Sequence, residues 1–209
     1  MEEKQYQIDK RPQRVPCCGS VHERCRVLIV GGMGELDFLN DLETGPESPR
    51  VVYAIIESPK GTENKYEWDA KKKAIVLDRV LYSAVHFPGD YGFLPRTLDE
   101  DGDPLDILVL VTSPTFPGCI MSARPVGLLR MLDGEKRDDK VLAVPTGDPR
   151  YADYSDLSDL PEHILKEIAY LFETYKALEG KQVRVLGWEG AESARHVIEH
   201  CQQLYRQKQ

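Results

Sequence analysis

A chain of 209 residues with 41% apolar content is long enough for one folded domain with a core of its own. Its formal net charge of −8 argues against a nucleic-acid binder, whose phosphate contacts demand a basic surface. No apolar run approaches the ~18 residues that cross a bilayer, and five cysteines, an odd number, fit a reducing compartment better than a disulfide framework.

The N-terminal stretch differs from the rest. Residues 1–32 carry six Lys and Arg against four Asp and Glu, so the remainder of the chain holds −10. We read residues 1–35 as an extension and 36–209 as the folded domain, with residues 1–32 dispensable. The first 25 residues lack the apolar core of a secretory signal, so a cytoplasmic location is expected. Cys17, Cys18, His22 and Cys25 invite a zinc reading, but adjacent cysteines do not easily both reach one tetrahedral ion, and no second ligand pair follows. The run from Arg26 to Gly34 resembles a strand followed by Gly-x-Gly, the start of a dinucleotide fingerprint. The third glycine position holds Asp37, however, and the helix that should follow breaks at the Gly and Pro residues of 43–49.

Beyond the extension, short β-branched or alternating runs predict strands at 50–57, 65–68, 74–81, 107–111, 120–131, 140–144 and 181–186. Gly, Pro and Asp separate them, a pattern that suggests a small barrel. Lys71, Lys72 and Lys73 form a charge run at a hairpin turn and read as a solvated loop. A helix is predicted over 161–178, with Pro161 in its first turn, Gly180 closing it, and Ile164, Leu165, Ile168, Leu171, Phe172 and Tyr175 on its apolar face. A second helix, over 191–206, repeats Ala194, Val197, Ile198, Cys201 and Leu204 at helical spacing. Cys119 and Cys201 have apolar neighbours and read as core residues.

The most informative segment is Asp101-Gly-Asp103-Pro-Leu-Asp106, three carboxylates immediately ahead of the apolar run Ile107–Val111. Oxygen ligands gathered at a strand edge suit a divalent cation such as Mg²⁺. The residue types equally suit a solvated acidic turn. A calcium loop is excluded, because its required Gly position holds Pro104 and its bidentate Glu position holds Leu110. Further carboxylates, interspersed with Lys, Arg and Tyr, occur at Glu57, Lys65-Tyr-Glu67, Asp78-Arg79, Tyr91, Asp133, Asp138-Asp-Lys140 and Tyr175-Lys176. Carboxylates alone bind a cation and cations alone an anion; the mixture suits a metal complex of a polyphosphate.

In these blocks the chain resembles the family I soluble inorganic pyrophosphatases. Asp101 to Ile107 matches that family's D-x-D-P-x-D-apolar signature. E-x-P-x-G, K-Y-E, D-R, P-x-x-Y-G-x-x-P-x-T, D-x-x-x-x-D-x-K and Y-K follow in the family's order between about Val51 and Gly190. The resemblance implies an α+β fold: a five-stranded barrel like the OB-fold, with additional strands and two C-terminal helices packed outside. It implies Mg²⁺-dependent hydrolysis of pyrophosphate to two orthophosphates with several ions per site. Asp101, Asp106 and Asp138 are similar to the family's ligands for the water-activating metal, and Asp133 with Asp138 to those for metal arriving with the substrate. Glu57 and Glu67 are expected in the outer metal shell. Lys65, Arg79, Tyr91 and Tyr175 resemble phosphate-binding residues, with Lys140 and Lys176 as supporting cations.

Asp103 is expected to accept the proton of the attacking water, since residues two apart in an extended segment share a face and Asp101 and Asp103 then address the same water. The Gly187-Trp188-Glu189 turn and short last helix resemble the bacterial branch, which implies a homohexamer. Two positions depart from the family: Phe87 stands where many members have Tyr, and Asp90 where many have Asn. A carboxylate beside Tyr91 is expected to raise neighbouring pKa values or recruit a cation. A nonenzymatic nucleic-acid module on an OB-like barrel needs a basic aromatic groove that this acidic chain does not suggest. A phosphatase of organic phosphates is the nearer alternative.

Overall fold

The computed structural model describes residues 36–208. The zinc and dinucleotide readings fall on residues 1–35 and lie outside that range.

Nine strands and two helices follow the expected order. They are β1 Val52–Ser58, β2 Asn64–Asp69, β3 Ala74–Val80, β4 Asp90–Phe93, β5 Asp106–Val109, β6 Ile120–Asp133, β7 Lys136–Arg137, β8 Lys140–Pro145, α1 Glu162–Thr174, β9 Val183–Gly190 and α2 Ala191–Lys208. β1 pairs with both β4 and β6, and the path β1-β4-β5-β8-β6 returns to β1, so five strands pair in a ring. All pairings in the ring are antiparallel except β5 with β8. β7 and β9 add to β6 outside the ring, and β2–β3 is a separate hairpin whose turn holds the lysine run.

Central strands of a covered sheet are apolar on both faces, and β5 is of this kind. Ile107 and Val109 join one buried cluster with Val52, Ile56, Leu128 and the α2 residues Ala194, Ile198 and Cys201. Leu108, one residue out of phase, joins a second cluster with Leu129, Met131, Leu142 and the α1 residues Ile168, Leu171 and Phe172. Each helix therefore covers one of two apolar clusters. Cys201 is fully buried, and Cys119 packs partly buried beside it. Among the described residues no helix is long and apolar enough to cross a membrane.

Three local features differ from the sequence reading. α1 ends at Thr174 rather than Leu178: Tyr175 N–H closes the last turn on Leu171 O, and a 3₁₀ turn over Ala177–Glu179 follows, stopped by Gly180 in the left-handed region at φ 74°. Gly187, Trp188 and Glu189 are not a turn. They continue β9, whose register against β6 slips at Arg130/Met131, where the extra residue is accommodated by Gly187 at φ 140°. The third is β4, unanticipated because its four residues sit in a Gly- and Pro-rich block. Gly92 in β4 has a physical reason: a Cβ there would lie 1.8 Å from Ile55 O, so only glycine lets β4 approach β1.

Candidate active site

Strand register gathers the charged residues at one end of the ring. Asp106 opens β5 and is the parallel register partner of Lys140, which opens β8. Phe93 of β4 lies across from Asp106, and Lys65 of β2 faces Arg79 of β3. Asp133 ends β6 opposite Lys136 of β7, and Asp138 follows that hairpin. The result is a cleft of about 440 Å³ lined by every one of the thirteen expected residues: Glu57, Lys65, Glu67, Arg79, Tyr91, Asp101, Asp103, Asp106, Asp133, Asp138, Lys140, Tyr175 and Lys176. Trp68, Phe93, Pro104, Lys136, Arg137 and Lys181 also line it. The last three are cations that the sequence reading passed over. The lining then holds seven carboxylates and seven Lys or Arg, a balance suited to an anion accompanied by metal rather than to either alone.

Lys140 is the buried hub. Its ammonium donates to Asp106 Oδ2 and to Asp138 Oδ1. Burial by itself would lower its pKa, but Asp106 and Asp138 outweigh that and raise it, so the group remains a cation. Tyr91 Oη donates to Asp106 Oδ2 at 2.5 Å, and burial followed by the charges of Asp106 and Asp138 pushes its hydroxyl well up. The donors of Tyr91 and Lys140 are thus directed at carboxylates. The Tyr91 ring is stacked on Phe87, centroids 5.1 Å apart, so the ring at position 87 supports the site by packing.

The carboxylates are not spread evenly. Glu57 is buried and accepts from Trp68 N at 2.6 Å; burial pushes its carboxyl up to about 8 against that hydrogen bond, with Asp106 and Glu67 adding repulsion. Partial desolvation, then the charges of Asp101 and Asp106, raise the pKa of Asp103 from its ordinary value. Among the described residues no three carboxylates converge closely enough to hold one ion between them. Asp106 and Asp138 share Lys140, Glu67 pairs with Lys65, and Asp133 Oδ2 takes Lys176 Nζ at 2.6 Å. The cleft lining is nonetheless chemically right for Mg²⁺. It offers several oxygen ligands, neither His nor Cys, and a mutual repulsion that a divalent cation relieves.

Asp101 and Asp103 do come together, but not through an extended segment. They flank a turn in which Gly102 adopts φ 101° and Asp103 N donates to Asp101 Oδ1 at 3.0 Å. Arg79 is held from behind: its Nε donates to Glu179 Oε1 at 2.9 Å and its Nη1 to Asp78. Tyr175 packs edge-on against Phe172 and is buried, as the apolar helix face predicted, while lining the cleft.

Comparison with known proteins decides the family. The inorganic pyrophosphatase family model matches residues 54–206. The chain belongs to the inorganic pyrophosphatase family. It is 53% identical over 168 residues to an inorganic pyrophosphatase of Haloferax volcanii, covering 80% of this chain and 95% of that one. With one from Synechocystis it shares 47% over 168 residues, covering 79% and 99%. A crystal structure of the Thermus thermophilus inorganic pyrophosphatase superimposes with a TM-score of 0.79 at 46% identity, covering 82% of this chain and 99% of that one.

Asp90 behaves otherwise than its place beside Tyr91 suggests. It is fully buried and accepts from Lys60 N at 2.8 Å, Thr115 N at 3.0 Å and Thr115 Oγ1 at 2.6 Å. Alternation along β4 turns it away from the cleft that Tyr91 lines. It ties two loops together, and the carboxylates acting on Tyr91 are Asp106 and Asp138 instead.

Proposed function

We propose that this chain hydrolyses inorganic pyrophosphate to two orthophosphates, taking the substrate as a magnesium complex, with Asp103 as proton acceptor. The observation that carries the reading is the cleft itself, in which the thirteen residues that the resemblance implies line one cavity, and Lys136, Arg137 and Lys181 bring the cations to the same number as the carboxylates. Asp101, Asp106 and Asp138 would hold metal, Asp133 with Asp138 metal accompanying the substrate, and Glu57 and Glu67 would lie outside them. Bound Mg²⁺ supplies Lewis acidity, neutralises phosphate charge and lowers the pKa of coordinated water.

The chain's own residues do the rest. As water oxygen attacks one phosphorus, its proton passes to an Asp103 carboxylate oxygen and the bond from that phosphorus to the bridging oxygen breaks. The raised pKa of Asp103 makes it a stronger base than an ordinary carboxylate. Negative charge grows on the departing phosphate, which Lys65, Arg79, Lys176 and the Tyr175 hydroxyl, all in the cleft lining, would stabilise. Tyr91 and Lys140 hold Asp106 and Asp138 in orientation.

Phosphate release by the full chain with Mg²⁺, from pyrophosphate and from ATP in parallel, tests the reading. Turnover confined largely to pyrophosphate is expected; equal or faster release from ATP would make this an organic phosphatase. We further infer a cytoplasmic homo-oligomer, a homohexamer by family resemblance.

The extension at residues 1–32 is proposed to be dispensable. Its support is that about four-fifths of this chain accounts for nearly the whole of its relatives. A chain starting at Met33 is expected to keep its denaturation midpoint and its turnover. Loss of most turnover on truncation would make the extension part of the working enzyme.

A further inference from the structure

Behind the cleft runs a line of alternating charges that the proposed reaction does not use. Glu189 of β9 grips Arg130 of β6 at two points, Oε1 to Nε at 2.9 Å and Oε2 to Nη2 at 3.0 Å. The remaining arm, Nη1, donates to Asp139 Oδ2. Asp139 is 3% exposed, and its other oxygen accepts from Met131 N at 3.2 Å. The next residue back strengthens the same join, since Asp138 N donates to Met131 O at 3.1 Å. The last member is Arg137, whose Nε stands 3.2 Å from Asp139 Oδ2.

We propose that Arg137 is a further substrate-binding residue of this cleft, contacting a phosphoryl group, and that Asp139 is its positioning residue. The inference rests on the pyrophosphate reading above and adds a contact to it. Three observations combine. Arg137 lines the cleft, and its side chain is 46% exposed, so it is accessible to solute. It lies on the β6–β7 hairpin between Asp133 and Asp138, at the end of the cleft assigned to the metal that travels with substrate. Its guanidinium is also anchored at one edge. The group is planar and rigid, so fixing Nε fixes the direction of the two terminal nitrogens, which is the fork that phosphate oxygens accept.

An exposed ion pair on a surface hairpin is worth little and needs no support. Here the support is three members deep and ends in a buried carboxylate that Arg130 and the Met131 amide already satisfy. The second arginine is therefore not required to neutralise Asp139. Asp139 in turn sits between two residues that line the cleft, Asp138 and Lys140, and is itself absent from the lining. One buried carboxylate thereby orients a cation of the cleft wall.

Steady-state kinetics of the full chain with Mg²⁺ and pyrophosphate test this. Arg137→Ala is expected to raise KM roughly tenfold to a hundredfold, the range for a lost hydrogen bond to a charged group, with kcat within about threefold. Inhibition by orthophosphate should weaken in parallel. Arg137→Lys keeps the charge but loses the fork and the anchor, and should fall between. Asp139→Asn should raise KM in the same direction and add nothing further on the Arg137→Ala background. If Asp139→Asn does not fold, Glu189→Gln breaks the same line at a half-exposed member, with a smaller KM increase that vanishes when Arg137 is Ala. An unchanged KM in Arg137→Ala overturns the binding role. Independent, multiplying effects, or a lowered melting temperature of Asp139→Asn at unchanged KM, overturn the positioning role. A parent protein inactive on pyrophosphate would overturn the functional reading itself, a result separable from either.

Discussion

Asp103→Asn is expected to lower turnover about 10²- to 10⁴-fold while changing Mg²⁺ affinity little. Asn keeps the shape and one oxygen and removes only the capacity to take a proton. In the structure Asp103 lines the cleft with no ion-pair partner among the described residues, unlike Asp106, Asp133 and Asp138, which pair with Lys140 or Lys176. It is open to water and free to act as base. Desolvation and the neighbouring Asp101 and Asp106 raise its pKa, and a base works only when deprotonated. The acidic limb of the kcat/KM profile should therefore belong to Asp103 in the parent and disappear from the residual activity of the variant. Asp106→Asn makes the contrast, since Asp106, whose Oδ2 receives both the Tyr91 hydroxyl and the Lys140 ammonium, is proposed as a metal ligand. Its loss should appear chiefly as weaker Mg²⁺ binding by calorimetric titration. Equal loss of metal binding in both variants would reduce Asp103 to one ligand among several.

The charged side chains that line the cleft were largely legible in the sequence, because charged residues set at strand ends between apolar runs have few other places to go. Asp106 before Ile107–Val109 is the clearest instance, and all thirteen expected residues reach one cleft. Their partners were less legible. Lys140 meets Asp106 because β5 and β8 pair in parallel with those two residues in register, a fact of topology that no local pattern contains. Lys136 and Arg137 drew no reading and Lys181 only the start of a strand, and only the path of the hairpin and of the turn after α1 brings them to the cleft wall. Asp90 shows the opposite error. Adjacent to Tyr91 in sequence, it lies on the other face of β4 and serves the loops of Lys60 and Thr115.

Backbone details escaped for a related reason. Asp101 and Asp103 were expected to share a face by strand alternation, yet the segment is a turn made possible by Gly102. Both routes bring two carboxylates together, so the sequence-level inference reached the right neighbours through the wrong geometry. The early end of α1 has a functional counterpart. Tyr175 still closes the last helical turn, and Lys176 after it leaves the helix and reaches Asp133, which closes β6 on the far side of the cleft.

Lys140→Met should cost about 3–5 kcal/mol of folding stability in chelator, the range for breaking a buried ion pair, and markedly less when Mg²⁺ is present. Methionine approximates the length and volume of the stem, so the substitution removes charge more than packing. The ammonium is 3% exposed and serves two carboxylates at once. Without it Asp106 and Asp138 face one another with Tyr91 as the remaining donor to Asp106, in a cleft where repulsion among carboxylates already raises Asp103. A divalent cation that binds only the folded chain stabilises it by about 2.7 kcal/mol at a hundred times its Kd. The variant has more to gain than the parent, because the parent's ammonium already occupies the space between the two carboxylates. Urea midpoints of both proteins, in chelator and in Mg²⁺ at matched ionic strength, measure the four states. Equal stability of variant and parent in chelator would mean that the Lys140 pairs contribute nothing to the fold. A gap that Mg²⁺ leaves unchanged would mean that Asp106 and Asp138 are not where the metal binds, and the ligand assignment would have to move to Asp101, Asp133 and the two glutamates.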